Sequence, residues 1–451
     1  MNYTEATQYL DSFINYERGL DQAQSSSFGL ERVRALLQYL GNPQENIKFI
    51  HVAGTKGKGS TCVFTAYILK EAGYRVGLYT SPHLHEVRER IRILDPFNRE
   101  EDSFSGKISE IDFCATLDEL KDVIEPRRSS KELSGLSYFE ILTLCAVVYF
   151  AQNKVDFAVL ETGLGGRLDA TNAIDSLVCG ITSIGYEHEK LLGSTLDLIA
   201  KEKAAIIKQG NQTVIIAPQP EQALEAIQAR CQDMGASYFL VGEHLRFQRL
   251  KQDPEKQILD IKGLLAQYNH LAIRLMGKSQ AINACTSVGI VESLRNFGYT
   301  IDASSIAQGL EKAVWPGRFE IIQKEPLMIL DSAHTVESCR LLKESVGEIF
   351  PHKKVILVCG ISKDKNIRGI CQELNELVQT VILTSSAHPR AFRFEETNSQ
   401  ELFTQKEVLL KENVQDALDT ALQRARPEDI ILVTGSSFVV AEVRELCHLS
   451  I

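Results

Sequence analysis

Short apolar runs rich in β-branched residues alternate with longer stretches of helical period along most of the chain. The runs at 49–52, 75–79, 157–160, 177–181 and 214–217 are apolar almost throughout, the pattern of strands buried on both faces of a parallel sheet. Between them, 60–72, 138–152, 196–208 and 221–234 carry the 3.6-residue period of helices. Together they predict an α/β domain on a doubly wound, mostly parallel sheet. The alternation restarts with strands at 327–330, 355–358, 380–383 and 430–433 and helices at 336–349, 367–377, 414–424 and 438–446, which predicts a smaller, Rossmann-like α/β domain. Pro316-Gly317 and the single Trp, Trp315, lie between the two series, so the boundary is set at residues 312–318, with domains at 1–312 and 313–451. The stretch 97–134 is polar and charged, and reads as a long irregular surface insertion.

Composition narrows the class. A chain of 451 residues is too long for one core, and 44% hydrophobic with 24% charged residues is ordinary for a globular protein. The net charge of −10 argues against nucleic acid or an anionic membrane as the main partner, while leaving room for a small anionic ligand at a local basic site. The first 20 residues lack a signal-peptide core, and no apolar run approaches the roughly 18 residues of a membrane span. Ten scattered cysteines without a C-x-x-C pair read as reduced, buried thiols of a cytoplasmic protein.

The densest chemistry is His51-Val52-Ala53-Gly54-Thr55-Lys56-Gly57-Lys58-Gly59-Ser60-Thr61, at a strand-to-helix junction. Glycines let backbone N–H groups turn toward phosphate oxygens, the helix N-terminus adds positive potential, and Lys58 with Ser60 completes a phosphate and Mg²⁺ ligand set. The spacing differs from the generic P-loop: only two residues separate Gly54 from Gly57-Lys58, and Gly59 divides Lys58 from Ser60.

Further polar residues follow the ends of predicted strands. Ser81, before Pro82, is either a hydroxyl ligand to Mg²⁺ or the start of a turn. Glu161 ends a buried strand, where a carboxylate needs a cation or hydrogen bonds, and so reads as a metal ligand or a buried ion pair. His188 suits a divalent ion or the surface, His83 and His85 read as solvated or substrate-facing, and Lys201 and Lys203 read as solvated helix charges. The run Gly163-Leu164-Gly165-Gly166 lacks the spacing of a dinucleotide fingerprint. Asn283 sits in a helical pattern that disfavours it, which points to a hydrogen-bonding role. Past the boundary, Arg318 can reach a phosphate, and Asp331-Ser332-Ala333-His334 again ends a strand in polar residues.

In this order the segments Gly29-Leu30-Glu31-Arg32, the phosphate loop, Ser81-Pro82-His83-Leu84 with Glu89-Arg90-Ile91, Tyr138-Phe139-Glu140, 161–172, His188, Glu202-Lys203, Asn283-Ala284, Pro316-Gly317-Arg318 and Asp331 with His334 resemble the folylpolyglutamate synthase and dihydrofolate synthase family of the Mur ligase class. The resemblance implies that Gly54, Thr55, Lys56, Gly57, Lys58, Gly59, Ser60, Asn283, Arg318 and Asp331 bind ATP, the co-substrate. It implies that Ser81 and Glu161 hold one Mg²⁺, and that His188 and a carbamylated Lys203 place a second. Lys58, Lys203 and His334 would be the catalytic residues, and Ser137, Tyr138, Phe139, Glu140, Leu168, Asp169 and Ala170 would line a folate pocket. A monovalent cation, a folate or dihydropteroate acceptor, L-glutamate and a monomeric state complete the expectation. Lys56 stands where many bacterial members have Asn, Ser137 where Thr is usual, and Ser279 where His is frequent.

The implied reaction activates a carboxylate as an acyl phosphate at the expense of ATP and passes it to the amine of glutamate. The alternatives are a peptidoglycan-precursor ligase and a non-catalytic nucleotide-binding protein.

Overall fold

The computed structural model describes residues 1–17, 29–98, 103–210, 212–394 and 401–449. The chain divides into two compact units, one of Met1–Gln248, Leu259–Ala272 and Ala281–Ala313, the other of Arg249–Ile258, Ile273–Gln280 and Val314–Ile451.

The first unit is built on seven strands: β1 (Lys48–Ala53), β2 (Val76–Tyr79), β3 (Ile91–Leu94), β4 (Phe157–Glu161), β5 (Val178–Ile181), β6 (Thr213–Ile216) and β7 (Ser237–Leu240). Their order is β3-β2-β4-β1-β5-β6-β7, and every neighbouring pair is parallel except β2 with β3. Strands β2, β4, β5 and β6 are buried at every position, as strands covered on both faces must be, and that is why they read as continuous apolar runs. From β1 the chain runs out to one side of the sheet and later returns on the other, so β1 lies at the switch point where α/β sheets bind ligands. Register aligns the carboxyl ends: Val52 pairs with Glu161 and Ala53 with Ile181, which sets Gly54, Thr162 and Thr182 along one edge.

One large apolar cluster packs the helices Tyr3–Asp11, Glu31–Tyr39, Glu110–Ile124 and Tyr138–Gln152. A second gathers Leu196–Ala204 and Glu221–Met234 with β5 and β6. The helix Glu110–Ile124 corrects the expectation of an irregular insertion over 97–134, of which residues 99–102 lie outside the described residues. Ser109 caps the helix, and Phe113, Leu117, Leu120 and Ile124 are all fully buried on one face. Its outward residues carry the charge that hid this stripe. Helix Lys278–Ser293, which holds Asn283, helix Ala303–Lys312 and the three strands β8 (Arg246–Gln252), β9 (Gln257–Lys262) and β10 (Gln267–Ile273) complete the elements between β7 and the second sheet.

The second unit carries β11 (Glu320–Lys324), β12 (Leu327–Leu330), β13 (Val355–Cys359), β14 (Thr380–Thr384), β15 (Glu407–Lys411) and β16 (Ile430–Thr434), ordered β11-β12-β16-β13-β14-β15. All pairs are parallel except the β11–β12 hairpin. A separate apolar core, from Ile329 through Leu357 to Leu432, holds it together.

Candidate active site

The phosphate loop leaves the carboxyl end of β1 and enters helix Lys58–Glu71 with Gly57 at its N-cap. Gly57 has a φ of 91°, and a Cβ there would stand 2.4 Å from Oδ1 of Asn283, so only glycine admits this approach. Asn283 is thereby brought against the loop from helix Lys278–Ser293, as its odd place in a helical pattern suggests. Gly54 is held as tightly: a Cβ would sit 1.9 Å from Oγ1 of Thr182.

The two halves of the loop do different things. The N–H groups of Thr55 and Lys56 both donate to the carbonyl of Ser183, at 2.9 and 3.1 Å. Thr55 also donates its hydroxyl to Gly185 O and accepts from Gly185 N–H. The first half is therefore fastened to the segment after β5. The N–H groups of Lys58, Gly59 and Ser60 open the helix, where no intrahelical acceptor exists for them, and this half is the one suited to an anion.

Lys203 lies beneath the loop. The pattern of helix Leu196–Ala204 suggests a solvated charge, yet the side chain is 3% exposed and donates from Nζ to Gly54 O at 2.8 Å. Burial, reinforced by the positive charges of Lys58 and Lys56 and opposed by Glu187, lowers its pKa to about 7. A substantial fraction of this amine is therefore neutral and nucleophilic at physiological pH.

Glu161 closes β4 and is buried, with Oε2 accepting the N–H of Ser81 at 3.0 Å. Ser81 follows β2, the neighbour of β4, so parallel register brings these two residues together. His188 sits in the left-handed region, with φ 54°, at the start of the one-turn helix Glu189–Leu192.

The 81–90 loop depends on Glu89 and Arg90, to which local sequence assigns no role. The Glu89 carboxylate accepts the N–H groups of Leu84, His85 and Glu86 at 2.7, 3.0 and 3.0 Å. Arg90, almost wholly buried, donates to Nδ1 of His83 and to both oxygens of Glu17 at 2.7 Å, and lies over the Tyr138 ring. Their signal was a pair of charges beside a strand, which burial makes costly unless each charge is bonded.

Ser137 and Glu140 form a reciprocal capping box at helix Tyr138–Gln152, and the other Glu140 oxygen takes both Nε and Nη2 of Arg32. Phe139, within the same first turn, packs against Tyr79 at 5.8 Å between ring centroids. Asp169 accepts the N–H groups of Gly163, Leu164 and Thr171 at 2.9, 2.8 and 3.1 Å. The Thr171 hydroxyl also donates to it and in turn meets Nε2 of His51 at 2.7 Å. Because that hydroxyl has given its proton to Asp169, His51 is the donor here. Burial and the charge of Lys208 lower the pKa of His51 to about 3, so the ring stays neutral. His51 on β1 thus connects the strand feeding the phosphate loop to the turn that carries Leu168, Asp169 and Ala170.

In the second unit, Asp331 follows β12 and accepts N–H groups from Phe319 at 2.8 Å and Ala333 at 2.9 Å. Burial pushes its carboxyl up, partly countered by the charge of Arg318. His334 bonds the carbonyl of Ser332 through Nδ1 at 2.8 Å. Arg318, Asp331 and His334 thus share one end of the second sheet. Among the described residues, no group of three or more His, Cys, Asp and Glu is placed to hold a metal ion.

Residues 317–437 match the family described as Mur ligase, glutamate ligase domain. The chain is 34% identical to the dihydrofolate synthase/folylpolyglutamate synthase of Bacillus subtilis, over 92% of this chain and 94% of that protein. It superposes on a Mycobacterium tuberculosis folylpolyglutamate synthase complexed with ADP with a TM-score of 0.88 at 29% identity, covering 99% of this chain and 98% of that one. The E. coli FolC structure in complex with DHPP and ADP matches with a TM-score of 0.83 at 30% identity over 98% of this chain and 97% of that one. Likeness at this level over nearly the full length of both chains means that the chain belongs to the folylpolyglutamate synthase/dihydrofolate synthase family.

Proposed function

We propose that the chain is an ATP-dependent ligase that joins L-glutamate to the carboxyl group of a folate, and that dihydropteroate is a second acceptor. The observation that carries this reading is the junction at the carboxyl edge of the first sheet. There a helix N-terminus with Lys58 stands over a buried Lys203 and beside Asn283, while the Glu161–Ser81 pair occupies the same sheet edge. The full-length likeness to ligases of this name supports the substrates.

A carboxylate is a poor acyl donor, so the reaction needs the acceptor carboxylate to attack the γ-phosphate of ATP, and then needs the glutamate amine to displace phosphate. In this reading the N–H groups of Lys58, Gly59 and Ser60 hold the phosphates, and the Lys58 ammonium offsets charge that builds on the transferring group. Asn283 borders the cradle, and Arg318, Asp331 and His334 of the second unit serve the nucleotide and the incoming glutamate. Ser137 and Glu140 act on the acceptor through the helix end they cap, which presents Tyr138 and Phe139, and Asp169 acts by shaping the turn with Leu168 and Ala170.

The donors at the sheet edge are hard and oxygen-rich, which fits Mg²⁺: Ser81 and Glu161 would hold one ion, and His188 with Lys203 as its carbamate a second. When bound, such ions neutralise phosphate charge. Carbamate formation requires a neutral amine shielded from water, and the pKa of about 7 and the burial of Lys203 support that requirement. We further propose a cytoplasmic monomer. Its cysteines are free thiols, nine of the ten buried, and no helix among the described residues is long and apolar enough to cross a membrane.

The test is a coupled ADP-release assay with Mg²⁺, ATP and glutamate, run side by side with tetrahydrofolate and with dihydropteroate, products identified by mass. Amide product from both acceptors is expected, and product from the folate alone would remove dihydropteroate from the proposal. No product from either acceptor, or product only from a UDP-linked sugar peptide, would overturn the assignment.

A further inference from the structure

Lys56 is a second lysine in the phosphate loop, two residues before Lys58, and its ammonium does not extend alone. It pairs with Oε1 of Glu187 at 3.1 Å, both side chains being largely buried at 21% and 14% exposure. This pair is the outermost rung of a short ladder. Thr55 N–H and Lys56 N–H reach Ser183 O, and the Thr55 hydroxyl exchanges hydrogen bonds with Gly185. Four backbone and hydroxyl bonds and one ion pair therefore fasten 55–56 to 183–187, the segment that leads directly into His188.

The geometry points to Lys56 as a positioning residue that acts through Glu187, holding the first half of the phosphate loop so that the second half meets the nucleotide already shaped. The inference rests on the nucleotide reading given above. Two consequences separate it from the simpler view that Lys56 only adds positive charge. If charge alone mattered, removing the nearby Glu187 carboxylate would strengthen binding of an anionic nucleotide. If the pair positions the loop, removing either partner weakens it, because a loop that must be ordered on binding subtracts that ordering from the affinity.

The experiment is calorimetric titration of ADP with Mg²⁺ into the full chain and into Lys56→Met, Glu187→Met, the double variant, and Lys56→Arg, with melting temperatures recorded for each. Steady-state KM for ATP and kcat are measured alongside. The expectation is a rise in the ADP Kd of about 3- to 10-fold in each single variant, with the double variant no weaker than either single one. KM for ATP rises more than kcat falls, and Lys56→Arg restores binding. Tighter or unchanged ADP binding in Glu187→Met overturns the inference, as does a Lys56→Arg variant as weak as Lys56→Met. If the unaltered chain itself fails to bind ADP, the nucleotide reading falls and takes this inference with it. A chain that binds ADP normally and is indifferent to Glu187→Met refutes the inference alone.

Discussion

Replacing Lys203 with Met should make the protein more stable at neutral pH while abolishing turnover. Burial and the neighbouring lysines shift this amine from 10.5 to about 7. In the unfolded chain it is protonated at pH 7, whereas in the folded chain about half of it has lost its proton. At 1.36 kcal/mol per pKa unit, this costs the folded state about 4 kcal/mol at that pH. Methionine fills the same space without charge, but forfeits the hydrogen bond to Gly54 O, which returns about 1–3 kcal/mol of the gain. A net stabilisation of about 1–3 kcal/mol is expected. The pH dependence is the sharper signature. An amine whose folded pKa is depressed exerts its whole penalty below about pH 7, and the penalty fades as pH climbs toward 10.5. Unaltered protein should therefore gain about 2 kcal/mol on the variant between pH 7 and pH 9. Urea unfolding of both proteins, ligand-free in buffer purged of carbon dioxide, measures this directly. A variant less stable than the parent at pH 7, or a difference that does not move with pH, would refute the reasoning.

Three other perturbations test separate parts of the site. Lys58→Ala should lower kcat by about 10²-fold or more, with the protein still folded by circular dichroism, because the cation at the helix N-terminus is needed most as charge builds on the phosphoryl group. Glu140→Ala removes both the partner of Arg32 and half of a capping box, so urea unfolding should register a loss of about 2–4 kcal/mol. Thr171→Val keeps the shape of the side chain but cuts the link between His51 and Asp169. A loss of about 1–3 kcal/mol in stability is expected, together with a KM rise for the folate acceptor that exceeds the rise for ATP, read by steady-state kinetics.

Much of the architecture was legible because its causes are local. Strands covered on both faces are apolar without interruption, so β1, β4, β5, β12, β13 and β16 announce themselves, and the glycines of 54–59 mark a strand that turns sharply into a helix. Where an element shows one face to solvent, composition misleads: Glu110–Ile124 looks like a charged insertion until Phe113, Leu117, Leu120 and Ile124 are seen on one stripe. Local sequence assigns Glu89 and Arg90 no role, although together they bond three backbone N–H groups, His83 and Glu17.

The sequence by itself determined that there are two α/β sheets, the glycine-rich strand-to-helix junction and the chemical types gathered at the strand ends, because periodicity and glycine spacing depend on neighbours a few residues away. Tertiary structure decided which half of the loop is bonded to the segment after β5, that Asn283 closes on Gly57, and that Lys203 is a buried amine of lowered pKa rather than a solvated charge. Helical period says which residues share a face, but what that face meets is set by strand order and register. Here these bring Gly54 and Lys203 together across 149 residues of chain.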